Sequence, residues 1–212
     1  MLRDRPGGEE PAATEDVSRR GPPRAEASQA EDVSLVARVA AGDRIAFEAL
    51  YRIYFPRLTR FLERVLRRPH LVEEALNDTM LVVWHKAATY NGLSKVSTWI
   101  FGIGYRKALK AVRRIDDPVE SDDDEETERE VGVGPPTPED QLIRRELAAA
   151  LGAALARMSP EQRAVVELTY YHGCAYREIA EIMSCPIDTV KTRMFHARRR
   201  LRVLLAGRRQ EL

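Results

Sequence analysis

Residues 116–140 cut this chain in two. They hold 12 Asp/Glu against one Arg. Asp122, Asp123, Asp124, Glu125 and Glu126 repel one another at close spacing. Pro135, Pro136 and Pro138 remove backbone donors and block a helix. A 212-residue length allows one or two domains. A segment that cannot join a core favours two, with a flexible acidic linker over 116–139.

The charge pattern supports that division. The formal net charge is only +1. Residues 31–115 carry 15 Lys/Arg against 8 Asp/Glu, and residues 141–212 carry 13 against 7. Two basic blocks around an acidic one imply two modules that bind polyanions, separated by a tether that repels or mimics one. The first thirty residues are rich in Pro, Gly, Ala, Glu and Ser and lack apolar periodicity. They cannot bury enough surface to offset chain entropy, so 1–30 reads as a disordered tail. A shorter tail is expected at 208–212.

No apolar run approaches the roughly 18 residues that cross a bilayer. The N-terminus lacks the apolar core of a signal peptide, so the expected location is cytoplasmic. Cys174 and Cys185 make no disulfide framework, and no CxxC or HxxxH pair accompanies His172 and Cys174. They read as small, partly buried side chains, with no metal site. No Gly-rich phosphate cradle or other catalytic constellation is present. The chain is expected to be neither an enzyme nor a cofactor binder.

Both blocks are helical in pattern, and no stretch alternates like a half-buried strand. Asp43 is placed to cap a helix carrying Ile45, Phe47, Leu50, Tyr51 and Tyr54, whose apolar face continues past Pro56 through Leu58, Phe61, Leu62 and Val65. Val72, Leu76, Met80, Val83 and Trp84 define a helix over 71–88. Asn91-Gly92 signals a turn, and a helix from about Ser97 to Arg114 follows. In the second block, Ser159-Pro160-Glu161-Gln162 reads as a capping box with Pro at the first helical position. A short helix over 176–183 leads to a tight turn at Ser184-Cys185-Pro186-Ile187. Asp188 is expected to cap a long final helix from Thr189.

Short helix, tight turn and long basic helix is the helix-turn-helix arrangement. At 100° per residue, Val190, Met194, Ala197, Leu201 and Leu204 share the packing face. Thr192, Phe195, His196 and Arg199 project opposite, with Lys191, Arg193, Arg198 and Arg200 on the flanks. A major groove admits one helix, whose early residues reach base edges. Lys191, Thr192, Phe195 and His196 are therefore the base-reading candidates. Arg198, Arg199, Arg200 and Arg202 suit phosphates.

The run from Tyr176 to Leu201, YREIAEIMSCPIDTVKTRMFHARRRL, resembles region 4 of extracytoplasmic-function (ECF, group IV) sigma factors of the sigma-70 family. In the first block, Ala46-Phe-Glu-Ala-Leu-Tyr, Glu74-Ala-Leu-Asn-Asp-Thr-Met-Leu-Val-Val-Trp and Ser97-Thr-Trp-Ile-Phe-Gly-Ile resemble successive pieces of region 2. The two resemblances occur in family order. They imply an all-α protein: a region 2-like bundle over 31–115 and a region 4-like domain over 140–207.

The resemblance also implies roles. Glu74, Asn77, Asp78 and Leu81 match the segment that docks on the clamp of the largest subunit of core RNA polymerase. Tyr90, Asn91, Ser94, Lys95 and Ser97 match the loop that takes a base flipped from the non-template strand at the minus-10 element. Tyr105, Arg106, Lys107, Lys110, Arg113 and Arg114 lie on the following helix, where aromatic and basic groups suit single-stranded DNA. The region 4-like domain, with Arg193 among its contacts, would read duplex minus-35 DNA and touch the flap of the second-largest subunit. An anti-sigma protein is the further partner implied. The implied function is promoter recognition and transcription initiation in a stress or signal response.

Gly104-Tyr105-Arg106, Ala175 and His196 stand where the family pattern often has Ala-Arg-Asn, Ser or Thr, and Arg. A conventional two-domain regulator would need neither the Glu74 stripe nor the aromatic-basic helix, and the recognition-helix face argues against a helical adaptor that binds no DNA.

The linker keeps two readings, a mimic of RNA phosphates and a solvated spacer. Neutralising Asp122 to Glu126 with Asn and Gln, at constant length, is expected to change the yield of abortive RNA or promoter escape in reconstituted transcription. Identical transcription profiles across salt concentrations would leave only the spacer.

Overall fold

The computed structural model describes residues 23–116 and 150–206. The expected tails over 1–22 and 208–212, and the linker beyond residue 116, lie outside the described residues. Among those described, every regular element is a helix.

The first half has four α-helices: α1 (Pro23–Ala40), α2 (Arg44–Leu66), α3 (Pro69–Lys86) and α4 (Val96–Asp116), with a 3-10 turn at Ala87–Thr89. Residues 23–30 correct the expected tail, because they form the first turns of α1. Their composition concealed this, since the contacts that hold the helix down near its start are polar, at Gln29 and at Asp32. The Tyr54 hydroxyl donates to the Asp32 carboxylate at 2.5 Å in a buried site. Val36 and Val39, on the same face, complete the contact.

Asp43 caps α2 as its position predicts. It accepts from Ile45 N at 2.9 Å and Ala46 N at 3.1 Å, and Arg38 donates to its other oxygen. These bonds hold the Asp43 carboxyl below its ordinary pKa, the Ala46 amide contributing most. α2 runs through Pro56 and stops where Arg67 turns left-handed at φ 59°. Pro69 then starts α3, at a position where its missing N–H costs nothing.

Leu50, Tyr54, Leu58, Phe61, Leu62 and Val65 of α2 meet Val72, Leu76, Met80 and Val83 of α3, and Ile100, Phe101 and Ala108 of α4. A Cβ at Gly104 would stand 3.2 Å from Leu58 Cδ2. That glycine lets α4 lie close against α2.

The second half contains a helical stretch at 150–156, then α5 (Pro160–Tyr170), α6 (Tyr176–Met183) and α7 (Ile187–Ala206). The Ser159–Gln162 capping box forms: Ser159 Oγ accepts from Gln162 N at 3.3 Å, and Gln162 Oε1 accepts from Ser159 N at 3.4 Å. Ala175 offers no side-chain cap to α6. Glu178 supplies the other half of a box by accepting from Ala175 N at 2.8 Å. Ser184, left-handed at φ 51°, makes the turn into α7. The helix starts at Ile187, so Asp188 lies in its first turn and is not its cap.

The halves pack together, α5 on α2 and α6 on α4. Arg60 Nε stands 3.0 Å from Glu167 Oε1, and the carboxylate is buried. Arg163 donates to Met158 O at 2.6 Å and to Val65 O at 2.7 Å. His172 fits against Phe61 and Phe101, with ring centroids 6.2 and 4.7 Å away. Burial, aided by Arg57 and Arg60, pushes its pKa down to about 4. The imidazole is neutral at pH 7, so its 4.0 Å approach to Glu167 is not an ion pair.

Burial raises the pKa of Asp32, while the Tyr54 hydroxyl lowers it. An acid whose folded pKa is raised costs stability once ionised, and that cost fades as pH falls through the folded pKa. Tyr54→Phe removes a donor that favours the ionised form. It should cost about 1–3 kcal/mol at neutral pH, and the loss should shrink toward about pH 4. Urea unfolding of the full chain across that range tests this. A deficit that stays constant with pH would exclude the carboxylate as its source.

Candidate nucleic-acid interface

α7 displays the face expected of it. Val190, Met194 and Ala197 are buried on the preceding helices, while Lys191, Thr192, Phe195 and His196 are exposed. Phe195 is 63% exposed, and its ring meets His196 edge-on at 5.5 Å. A large apolar side chain held in water by a rigid helix is available for contact with a partner. Lys191 pairs with Asp188 at 2.9 Å across one turn, and Thr192 Oγ1 donates to Asp188 O. Arg199, Arg200 and Arg202 are exposed further along. Arg198 is exposed too, but its guanidinium is engaged: Nε donates to the Tyr170 hydroxyl at 2.9 Å. Arg193 departs from the set. It is half-buried, and its guanidinium lies 3.5 Å from Cys185 Sγ, back toward the turn.

The first half assembles a second candidate surface. Glu74, Asn77, Asp78 and Leu81 follow one face of α3, and Leu81 is 55% exposed. The spacing of three and four residues puts them in a single stripe. α4 lies beside it. Lys107 Nζ reaches Asp78 at 2.8 Å, and Arg114 Nη1 reaches Glu74 at 2.9 Å. Glu74, Asp78, Lys107, Lys110 and Arg114 thus line one shallow groove between α3 and α4. The sequence separated these acids and bases into two sets with different partners. The fold pairs them, because α3 and α4 pack alongside each other.

The loop between the 3-10 turn and α4 is tied at several points. Tyr90 packs on Trp99 with the rings tilted by 48° and centroids 5.4 Å apart, and its hydroxyl donates to Ser94 O at 2.6 Å. Leu93 N donates to Asn91 Oδ1 at 3.1 Å, and Gly92 takes φ 73°, a left-handed conformation that favours glycine. Gln29 of α1 reaches the same loop: Nε2 donates to the Tyr90 hydroxyl at 3.4 Å, and Oε1 accepts from Val96 N at 3.3 Å. Reading 1–30 as a tail hid this residue. Asn91 and Leu93 are exposed at the tip, Leu93 by 87%. Ser94 and Ser97 are half-buried.

Not every expected contact on this side is presented. Tyr105 is buried, 2% exposed, which corrects its reading as a stacking platform. Its neighbours include Arg193, Glu161 and Cys185 of the second half, and burial pushes its hydroxyl up to about 12. Lys95 pairs with Glu178 of α6 at 2.7 Å. Arg106, Lys110 and Arg113 are exposed on α4. Trp99 is half-buried against the core.

Cys174 and Cys185 are free and half-buried, and burial pushes the Cys174 thiol up to about 11. No group of metal-ligating side chains occurs among the described residues. No described helix is long and apolar enough to cross a membrane.

Comparison with known proteins fits this geometry. Residues 50–117 match the family model for sigma-70 region 2, and residues 148–201 that for sigma-70, region 4. The ECF RNA polymerase sigma factor RpoE of Cereibacter sphaeroides is 30% identical over 164 residues, 76% of this chain and 86% of that protein. The ECF RNA polymerase sigma factor SigM of Mycobacterium tuberculosis is 31% identical over 175 residues, 82% of this chain and 84% of that protein. Among solved structures, CnrH in complex with the cytosolic domain of CnrY is similar in fold. Its TM-score is 0.61 at 21% identity, covering 84% of this chain and 98% of that one. With region 2 and region 4 in order and relatives of this identity along most of its length, the chain belongs to the sigma-70 family and is an RNA polymerase sigma factor of the ECF type, acting in promoter recognition and transcription initiation.

Proposed function

We propose a division of labour among the surfaces of this sigma factor. α7 reads minus-35 duplex DNA. Lys191, Thr192, Phe195 and His196 meet base edges, and Arg199, Arg200 and Arg202 meet phosphates, with Arg198 released from Tyr170 to join them. The observation that carries this reading is the exposed face of α7, set by Val190, Met194 and Ala197 packing on its other side. Arg193 serves the turn and makes no base contact. The loop at 90–97 and the exposed cations Arg106, Lys110 and Arg113 take the minus-10 element, with a non-template base at the loop tip.

The α3 stripe of Glu74, Asn77, Asp78 and Leu81 docks on the clamp of the largest polymerase subunit. An acidic face flanking an exposed leucine suits a basic partner with an apolar centre. The second half touches the flap of the second-largest subunit. Family membership supports an anti-sigma protein as a further partner, and action in the cytoplasm, where promoter DNA lies. The chain contributes binding energy and no chemistry of its own; polymerase is the enzyme.

The docking reading predicts that Asp78→Lys weakens binding to purified core polymerase by about tenfold, the scale of one interfacial charge contact. Lys107→Ala breaks the same intramolecular pair but keeps the acid, so it should leave that affinity intact. Equal weakening by both variants would make the α3–α4 pair, and not the acid, the determinant.

The α7 reading predicts a split between two neighbours. His196→Ala should cost about 1–3 kcal/mol on the best minus-35 sequence and relax preference at one position. Arg199→Ala should weaken all sequences alike and reduce the salt slope by about one unit. A minus-35 library bound by each variant at several salt concentrations decides the matter. One common factor across the library for His196→Ala would remove His196 from base reading.

A further inference from the structure

We propose that Gln29 of α1 is a positioning residue for the minus-10 loop, holding its two ends so that Asn91 and Leu93 are presented to DNA in one shape. This rests on the reading of 90–97 as the base-taking loop. Gln29 spends both ends of its amide on that loop. Nε2 donates to the Tyr90 hydroxyl where the loop begins, and Oε1 accepts from Val96 N where it ends. Val96 N–H opens α4 and has no partner within that helix. Gln29 therefore caps α4 from another helix.

The Tyr90 hydroxyl is a branch point, accepting from Gln29 and donating to Ser94 O. Its ring rests on Trp99, which is anchored in the core. The loop is thus clamped from below by Trp99 and across its ends by Gln29, with the tip and Lys95 in water. α1 does not need Gln29 for its own attachment. Asp32 holds the Tyr54 hydroxyl, and Val36 and Val39 are buried beside α2. Gln29 lies one turn before Asp32 and seven residues before Val36, so the face that anchors α1 also aims the amide at the loop.

A half-buried amide that bridges a loop adds little to global stability and much to local order. A tip that already holds its bound shape loses less on binding, and it distinguishes bases that a mobile tip would accommodate alike. Gln29 therefore acts on minus-10 discrimination through the loop, without touching DNA.

The test uses the full chain in holoenzyme reconstituted with core polymerase. The probes are fork-junction DNAs carrying each of the four bases at every minus-10 position. Gln29→Ala should lower the ratio of best to worst base at the loop-read position by about fivefold, the factor of one net hydrogen bond. Affinity for minus-35 duplex should not change. Gln29→Glu keeps the acceptor for Val96 N and should retain part of the ratio. An unchanged ratio with Gln29→Ala, or one common factor lost on every probe, overturns the proposal. Asn91→Ala and Leu93→Ala separate the two failures. If they alter discrimination and Gln29→Ala does not, only the role of Gln29 falls. If neither alters it at any position, the loop is not the reader, and both readings fall.

Discussion

The carboxylate of Glu167 belongs to the second half of the chain, but its partner belongs to the first. It is buried, and a buried charge must be paired or neutralised. Arg60 of α2 pairs with it at 3.0 Å. Burial still raises the Glu167 pKa, with Arg60 pulling the other way. Such a pair contributes little net stability, but breaking it strands a charge. Its effect is to fix which face of α5 meets α2. Apolar contact then follows, with His172 against Phe61 and Phe101, and Arg60 itself 3.2 Å above the Tyr171 ring. Arg163 completes the seam by taking up Val65 O near the end of α2, one of the carbonyls a helix leaves unpaired.

That docking decides which surfaces face water. α7 lies away from the seam and keeps Phe195 and His196 exposed. α4 lies at the seam, where Tyr105 is covered and Lys95 is engaged by Glu178. The α3 stripe lies outside it, neutralised in part by Lys107 and Arg114. The Arg114–Glu74 pair is exposed and the Lys107–Asp78 pair only half-buried, so each is worth about 1 kcal/mol or less. They hold the acids lightly, and a partner with well-placed cations can displace them.

Local signals in the sequence carried most of the fold. The Asp43 cap, the Ser159 box, the spacing of Val72, Leu76, Met80 and Val83, and the buried face of α7 all depend on residues within a turn or two of each other. What was not legible depends on distant partners. Tyr105 on a basic helix reads as a stacking platform until the second half packs over α4. Nothing local tells that Lys107 and Arg114 have acids of α3 beside them. Asp188 has the chemistry of a cap, but α7 begins one residue before it. Gln29 sits in polar surroundings that give no periodic signal, because its role is polar. No pattern marked Arg60 and Glu167, which lie 107 residues apart.

The seam between the halves also enters every equilibrium in which the chain takes part. A partner that needs the halves apart must first draw on the population in which they are separated, and its apparent affinity falls by that fraction. A docking free energy of about 2.7 kcal/mol would weaken such a partner about a hundredfold. The same free energy acts in favour of any protein that clasps the docked form, which meets its target already assembled. Arg60, Glu167 and Arg163, which lie apart from both the exposed face of α7 and the α3 stripe, are the residues whose contacts contribute to that docking free energy.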